Sequence, residues 1–382
     1  MTEIIQRKLN DSAFVRWTAL ILIALTMFFG YMFVDVLSPL QNMLESTRGW
    51  SPTIFGLYGG SEFILNVCGF LLVAGIILDK MGVRFTGILS ASLMVLGAGI
   101  KFYGLSNYFY EGGFGYEFLN SFLTDIPASA KLACLGFMIF GCGTEMAGVT
   151  VSRAIVKWFT GKELALAMGL EMAIARLGVF AVFSLSPWVA NWGGDPSVAR
   201  PVAVVGLLLC IGLLTYIAFS VMDFKLDRQT EADTPIGETE EPFKVADLKN
   251  LFSSKTFLIV SALCVLYYSA IFPFQRFATG MLESNLGITN QQASDIFRWF
   301  PMGAAAITPL LGSYLDHKGK GATMLIFGAI LMTVCHLIFA FVLPAYPSTL
   351  IAYGAIIILG IAVIVVFVSD KRYMQFVWIA AA

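Results

Sequence analysis

Long apolar runs separated by short polar connections dominate this chain of 382 residues. A helix needs about 20 apolar residues to cross the roughly 30 Å hydrocarbon layer of a bilayer. Ten runs reach that length, at about 15–37, 54–78, 86–105, 132–157, 164–189, 202–221, 256–280, 294–315, 322–343 and 349–368. Each is predicted to span the membrane as an α-helix, because a helix satisfies its own backbone donors and acceptors where water is absent. The fold class expected is therefore all-α integral membrane. The first run is too long for a signal-peptide core and has no clear cleavage site, so it is read as a permanent span. The longest polar segment, 223–254, carries Asp223, Asp227, Glu231, Asp233, Glu238, Glu240, Glu241 and Asp247. It is read as a cytoplasmic linker between a six-helix half (1–222) and a four-helix half (255–382).

An internal repeat supports that division. Gly75-Ile76-Ile77-Leu78-Asp79-Lys80-Met81-Gly82-Val83-Arg84 returns as Gly312-Ser313-Tyr314-Leu315-Asp316-His317-Lys318-Gly319-Lys320-Gly321. Gly, Leu, Asp and Gly recur in register, each copy joining two apolar runs. A duplicated helical membrane protein of this kind moves solutes by rocking one half against the other.

Composition narrows the partners. The chain is 58% hydrophobic and 13% charged, against about 25% charged in soluble domains, so the lipid bilayer is its solvent. A net charge of −1 argues against nucleic acid. The six cysteines lie in apolar runs without metal-ligand spacing and read as small buried hydrophobes. No cofactor is implied. Of the 24 basic residues, four (Arg48, Lys101, Lys131, Arg200) fall at one face and three (Arg176, Arg276, Arg298) within spans. The rest fall on the face of the N-terminus, which places both termini in the cytoplasm. The segment 106–131, rich in glycine and aromatics, reads as an interfacial belt on the opposite face.

Charges inside the spans carry the chemistry, because a charge at mid-bilayer costs at least about 2.5–3.5 kcal/mol and calls for a partner or a watery cavity. Glu145 on span four and Arg176 on span five each lie about 18–20 Å from the cytoplasmic end of their helices, at about 1.5 Å per residue. A zwitterionic ligand needs this pair, a carboxylate for its ammonium and a guanidinium fork for its carboxylate. The competing reading is a salt bridge that never meets substrate. Glu62, Arg276 and Arg298 lie nearer the outer face, where they are expected either to close an outer gate or to snorkel to the interface. Glu171 points to a different face from Arg176, and Arg153 and Lys157 read as inner anchors. His317 belongs to the repeated loop. His336, inside span nine, reads as a packed polar residue before a proton site. Gly59 and Gly60 offer a place for span two to bend, and Pro273, Pro301 and Pro309 for spans seven and eight.

The pattern Gly75-x-x-x-Asp79-Lys80-x-Gly82-x-Arg84 resembles the signature loop of the major facilitator superfamily, and the second copy sits where that family carries a weaker one. The resemblance implies a major-facilitator-type bundle of two pseudo-repeated halves, with ten helices present of an expected twelve. Gly143-x-Glu145, Arg176 and Phe272-Pro273-Phe274 are similar to the branch of lysosomal dipeptide uniporters and their bacterial relatives. In that branch an acid and an arginine at the places of Glu145 and Arg176 are thought to hold the two peptide ends. The signature loops, with Asp79, Arg84 and Asp316, are expected to latch the opposite half. Asp316 would meet the start of span five near Gly161 and Lys162. The partner of Asp79, the start of span eleven, falls beyond the chain, which makes Asp79 an orphan. The stretch from Ile361 to Ala382 departs from the family's span ten, and a truncated or frame-shifted product is the expectation.

The function expected is secondary transport of a small zwitterionic solute, dipeptides first, by alternating access, in a bacterial cytoplasmic membrane. The alternatives are a proton-coupled sugar or organic anion porter, in which protons become a partner, and a non-transporting truncated membrane protein. The sequence has no HExxH zinc motif, no GxSxG elbow and no nucleotide-binding P-loop, so an enzyme is not expected.

Overall fold

A computed structural model describes residues 8–231, 253–307 and 321–381. Among the described residues the regular elements are helices: α1 (Ala13–Val34), α2 (Gln41–Arg48), α3 (Pro52–Leu65), α4 (Leu71–Leu105), α5 (Ala128–Phe159), α6 (Leu164–Ala190), α7 (Ala199–Glu231), α8 (Lys255–Leu286), α9 (Asn290–Phe297), α10 (Gly321–Leu337) and α11 (Thr349–Ala381). Local chemistry sets several ends. The Ser51 hydroxyl accepts from the Ile54 N–H ahead of Pro52, the first residue of α3, where a missing N–H costs nothing. Thr289 and Gln292 form a reciprocal capping box that opens α9. Gly287, at φ 63°, ends α8 in the left-handed conformation that glycine adopts without strain.

Among the described residues, eight helical stretches are long and apolar enough to cross a membrane. One of them, Pro52–Leu105, has 54 residues. A straight helix of that length would measure about 80 Å, far more than a bilayer. Its contacts with α5 show how the chain reverses. Along α3 and the first part of α4, Glu62 meets Gly141 and Asp79 meets Arg153, so the two chains run in the same direction. Beyond Gly82 the order inverts, with Gly143 near Ser90, Gly136 near Lys101 and Gly104 near Leu132. The turn falls at Gly82, whose φ of 72° and ψ of 175° break the helical path. The crossings expected at 54–78 and 86–105 are thus the two arms of this stretch. The expected crossing 294–315 is helical over α9 and 299–307, and its remainder lies outside the described residues, as do Pro309, Asp316 and His317.

Two boundaries differ from expectation. Helix α7 runs through to Glu231, so Asp223 and Asp227, expected to open the linker, sit on a helix. Their charges are compatible with helix because they are paired there, as shown below. The irregularity expected near Gly59 and Gly60 falls instead at a π-helical turn over Asn66–Phe70, where Gly69 has φ 109°. A residue inserted into a helix in this way bends it at a defined place.

The chain forms two compact units. One comprises Met1–Val34, Arg48–Gly178 and Val202–Pro242, the other Asp35–Thr47, Val179–Pro201 and Phe243–Ala382. In the first, α4 and α5 approach through glycines. A methyl group on Gly97 would lie 2.4 Å from the Gly136 carbonyl oxygen and 2.5 Å from the Phe140 nitrogen. Those neighbours are backbone and cannot swing aside. Gly97→Ala is therefore expected to destabilise the fold by about 1–3 kcal/mol, the usual cost of overpacking. Gly99→Ala, which meets nothing within 4 Å, is expected to stay within about 0.5 kcal/mol of the parent. Thermal unfolding of the two variants in detergent checks the pair.

Candidate transport site

The depth of Glu145 and Arg176 can be read from ring and backbone contacts within the first unit. Helices α1 and α5 run antiparallel: Trp17 touches Phe159 at one end (centroids 5.3 Å apart) and Phe33 touches Phe140 towards the other (4.7 Å). Five residues from Phe33 towards the signature-loop end lies Phe28, and five residues the same way from Phe140 lies Glu145. The two are level, at about 1.5 Å of rise per residue on both helices. On α6, a methyl on Gly178 would lie 2.3 Å from the Phe28 carbonyl oxygen. Arg176, two residues earlier, is then about 3 Å nearer the signature-loop end. Both side chains are half-buried. An acid and a guanidinium therefore share one level of the span, on two successive helices.

The signature loop makes different partners from those expected. Arg153 on α5 donates from Nη1 to the Asp79 carboxylate. Asp79 is not an orphan: α5 places a guanidinium beside the loop, and the carboxylate is satisfied within its own unit. Arg84 reaches the other way, with Nη2 3.3 Å from Asp227 Oδ2 and Nε 4.0 Å from Asp223 Oδ2. Asp223 is fully buried. It accepts from Lys157 Nζ at 2.8 Å and from Trp158 Nε1 at 2.9 Å, while Lys157 also lies 2.6 Å from Asp227. Arg153 and Lys157, read as simple anchors, thus tie α5 to the loop and to α7.

Asp316, expected near Lys162, lies outside the described residues. Lys162 donates to the Asn10 carbonyl (2.6 Å) and to Asp11 (2.9 Å). Arg16 beside it pairs with Glu163 at 2.7 Å. The bond from Lys162, followed by the backbone bond from Lys8, holds the Asp11 carboxyl below its usual range. The Glu163 carboxyl is lowered by its own backbone N–H and then by Arg16.

Nearer the opposite end, Glu62 is buried with its backbone against Gly141. Arg276 lies 3.7 Å from Asp35. Arg298 lies 2.9 Å from Asp295 and 3.4 Å from the Ser184 hydroxyl. Sequence reasoning grouped Glu62, Arg276 and Arg298 and missed Asp35, although that carboxylate closes the first apolar run. It also placed Lys101 at a face. The side chain is fully buried, with its Nζ 4.3 Å, 4.9 Å and 4.5 Å from the ring centres of Phe33, Tyr58 and Phe137. His336 bridges two helices, with Nδ1 2.8 Å from the Met332 carbonyl oxygen and Nε2 3.3 Å from that of Ala270.

Long apolar helices, a repeated loop with its acid tied at a helix end, and opposite charges at one level of the span are features shared with membrane carriers of the secondary transporter class. The chain belongs to the Major Facilitator Superfamily, whose sequence model matches residues 20–375. It is 30% identical over 216 residues to the lysosomal dipeptide transporter MFSD1 of Bos taurus, an alignment covering 55% of this chain and 45% of that protein. It is 31% identical over 212 residues to the Gallus gallus protein of the same name, covering 54% and 48%. The chain thus matches about half the length of these relatives. Among solved structures, the nucleoside transporter NupG aligns with a TM-score of 0.64 at 12% identity over 93% of this chain and 82% of that one. A bacterial homologue of the human peptide transporters PepT1 and PepT2 aligns with a TM-score of 0.57 at 11% identity, over 94% and 88%. These likenesses show the shared fold.

Two outcomes follow for the charge clusters. Asp223→Asn leaves Lys157 and Arg84 without their buried anion and is expected to cost about 3 kcal/mol, near the lower end for a broken buried pair because both bases keep contact with water. Chemical denaturation of the purified protein measures it. Asp11 and Glu163 have depressed folded-state pKa values, so their contribution is present above the ordinary carboxylate range of about 4. It is lost as pH falls through the depressed values. A spin label at Ser12 is expected to gain mobility across that acid window and to stay immobile at neutral pH.

Proposed function

We propose that the protein carries small zwitterionic solutes, dipeptides first, by alternating access, with Glu145 holding the ammonium end and Arg176 the carboxylate end. The observation that carries this reading is the shared level of the two side chains on α5 and α6. Opposite charges at one depth offer both ends of a zwitterion a charge-assisted bond, worth about 1.5–3 kcal/mol each. The dipeptide transporters among its relatives support the substrate class. The first half then runs through α7, to Glu231, and the second begins with α8, with both termini in the cytoplasm. A bacterial cytoplasmic membrane is the location we assign.

The experiment is uptake of radiolabelled alanyl-alanine into proteoliposomes, with N-acetylated and C-amidated forms as competitors. Glu145→Gln is expected to raise the half-saturating concentration of alanyl-alanine about 10- to 100-fold, from the energy of one charge-assisted bond. The same change is expected to leave competition by the N-acetylated form unaltered. Arg176→Gln is expected to do the converse with the C-amidated form. Saturable uptake at the parent's half-saturation in both variants, with the protein folded, would reject the assignment.

A further inference from the structure

We infer that the connection 106–127 and the adjoining end of α4 form a binding site for one acyl chain of a phospholipid, in the leaflet opposite the signature loop. The site is independent of the solute carried and needs only that α4 spans a bilayer.

A groove of about 630 Å³ separates this connection from α4, within the roughly 300–1,000 Å³ of ligand sites. Val95, Leu96, Gly99 and Tyr103 form its floor on α4, and Phe114 and Phe118 roof it. Gly99 cuts the notch, since a methyl there would meet nothing within 4 Å. From Val95 to Tyr103 the floor runs about 12 Å at 1.5 Å per residue. One leaflet supplies about 15 Å of hydrocarbon, half of the roughly 30 Å core.

The roof is built rather than slack. Connections as long as 106–127 are uncommon without a function of their own. The Tyr103 hydroxyl donates to the Phe114 carbonyl at 3.1 Å. Phe109 is fully buried, its ring 5.4 Å from those of both Tyr103 and Tyr116. Lys131 on α5 donates from Nζ to the carbonyls of Leu119 and Phe122. These carbonyls close the short helix Tyr116–Asn120, where helical partners run out. Glu111, Glu117 and Asp125 are exposed on the same connection, so it has polar groups for the headgroup layer as well as rings for the hydrocarbon.

The direction in which the groove opens decides its occupant. Gly97 turns towards Gly136 on α5, and Ala98 towards Gly206 on α7. Leu96 and Gly99 therefore lie on the flank of α4 that its neighbours leave uncovered. Leu96 is 54% exposed, Phe114 90% and Phe118 71%. On a membrane span that flank is continuous with the surface facing lipid. Water would find too few polar partners there, and a peptide would bring amides that the groove cannot pair. An acyl chain is apolar, slender and already present at that depth.

The test uses the full chain. Native mass spectrometry of protein purified in mild detergent is expected to show one retained phospholipid. The protein is then reconstituted in phosphatidylcholine vesicles with a trace of phosphatidylcholine bearing an acyl-chain diazirine, and irradiated. Adducts on residues 95–103 are expected to exceed those at Leu207 at least fivefold. Leu207 is a matched control, 67% exposed and next to Gly206, which is level with Ala98. Gly99→Phe fills the notch and is expected to lose the retained phospholipid and bring the adducts on 95–103 down to the Leu207 yield. The yield at Leu207 itself is expected to stay constant. Lys131→Gln, which unpins the roof, is expected to lower the groove adducts at least threefold, and Lys131→Arg to restore them to within about twofold. That pair serves where Gly99→Phe does not fold. Groove adducts no higher than those at Leu207 in the parent would overturn the site. So would yields unchanged in folded Gly99→Phe or Lys131→Gln protein, or retention of detergent alone.

Discussion

Hydrocarbon offers a buried charge no water, and that constraint arranges most of what is described here. A carboxylate or ammonium within a span persists only where the chain supplies partners in place of hydration. Asp223 meets this with an indole N–H, an ammonium and a guanidinium from two other helices. Lys101 meets it partly with the faces of three rings, whose negative quadrupoles attract a cation most when it is desolvated. Each solution ties together helices that lipid alone would leave free to separate, because apolar side chains gain little from one another in a solvent as apolar as themselves. The charged residues are few, yet they decide which helices meet.

Much of the fold was legible in the sequence for the same reason. Runs of apolar residues long enough to cross a bilayer have few other uses, so the crossings over 54–78 and 86–105 and the turn between them could be read from composition and one repeated loop. The loop's conformation was legible too, since Gly82 occupies the positive-φ turn that glycine suits. Partners were not legible. Asp79 was expected to look across to the opposite half, and a guanidinium came from Arg153, 74 residues away on α5. Nothing local to either residue announces that meeting. It depends on the depth at which α4 and α5 cross, and glycine packing sets that depth. Asp223 misled for a related reason. It opens a run rich in acids, so it reads as solvated linker, whereas Lys157 and Trp158 one turn from the end of α5 draw it into the helical core.

The candidate substrate pair shows where sequence reasoning is strongest. Counting residues from helix ends placed Glu145 and Arg176 at one level, and the ring contacts of α1 with α5, with Gly178 against Phe28, give the same level by an independent route. Depth along a span is a one-dimensional property and follows from helical rise alone. Azimuth, which decides what a side chain faces, needs the neighbours. Asp35 was overlooked on that account: its depth is plain, at the end of the first apolar run, but its convergence with Gln275 and Arg276 depends on how the chain turns after Val34.

Two kinds of helix contact in this protein differ in their chemistry. At Gly97 and Gly136 backbone lies on backbone, with no side chain between and no room for water. Such a contact has one arrangement, because any shift costs dispersion on both sides and nothing rehydrates to compensate. Segment 35–42 and α8, within one compact unit, meet through amides, hydroxyls, a guanidinium and a carboxylate, and Val36, Leu37 and Leu40 of the same segment are fully buried. A carrier that alternates must keep some contacts through the whole cycle and surrender others once per cycle. Glycine-lined backbone contact suits the first duty.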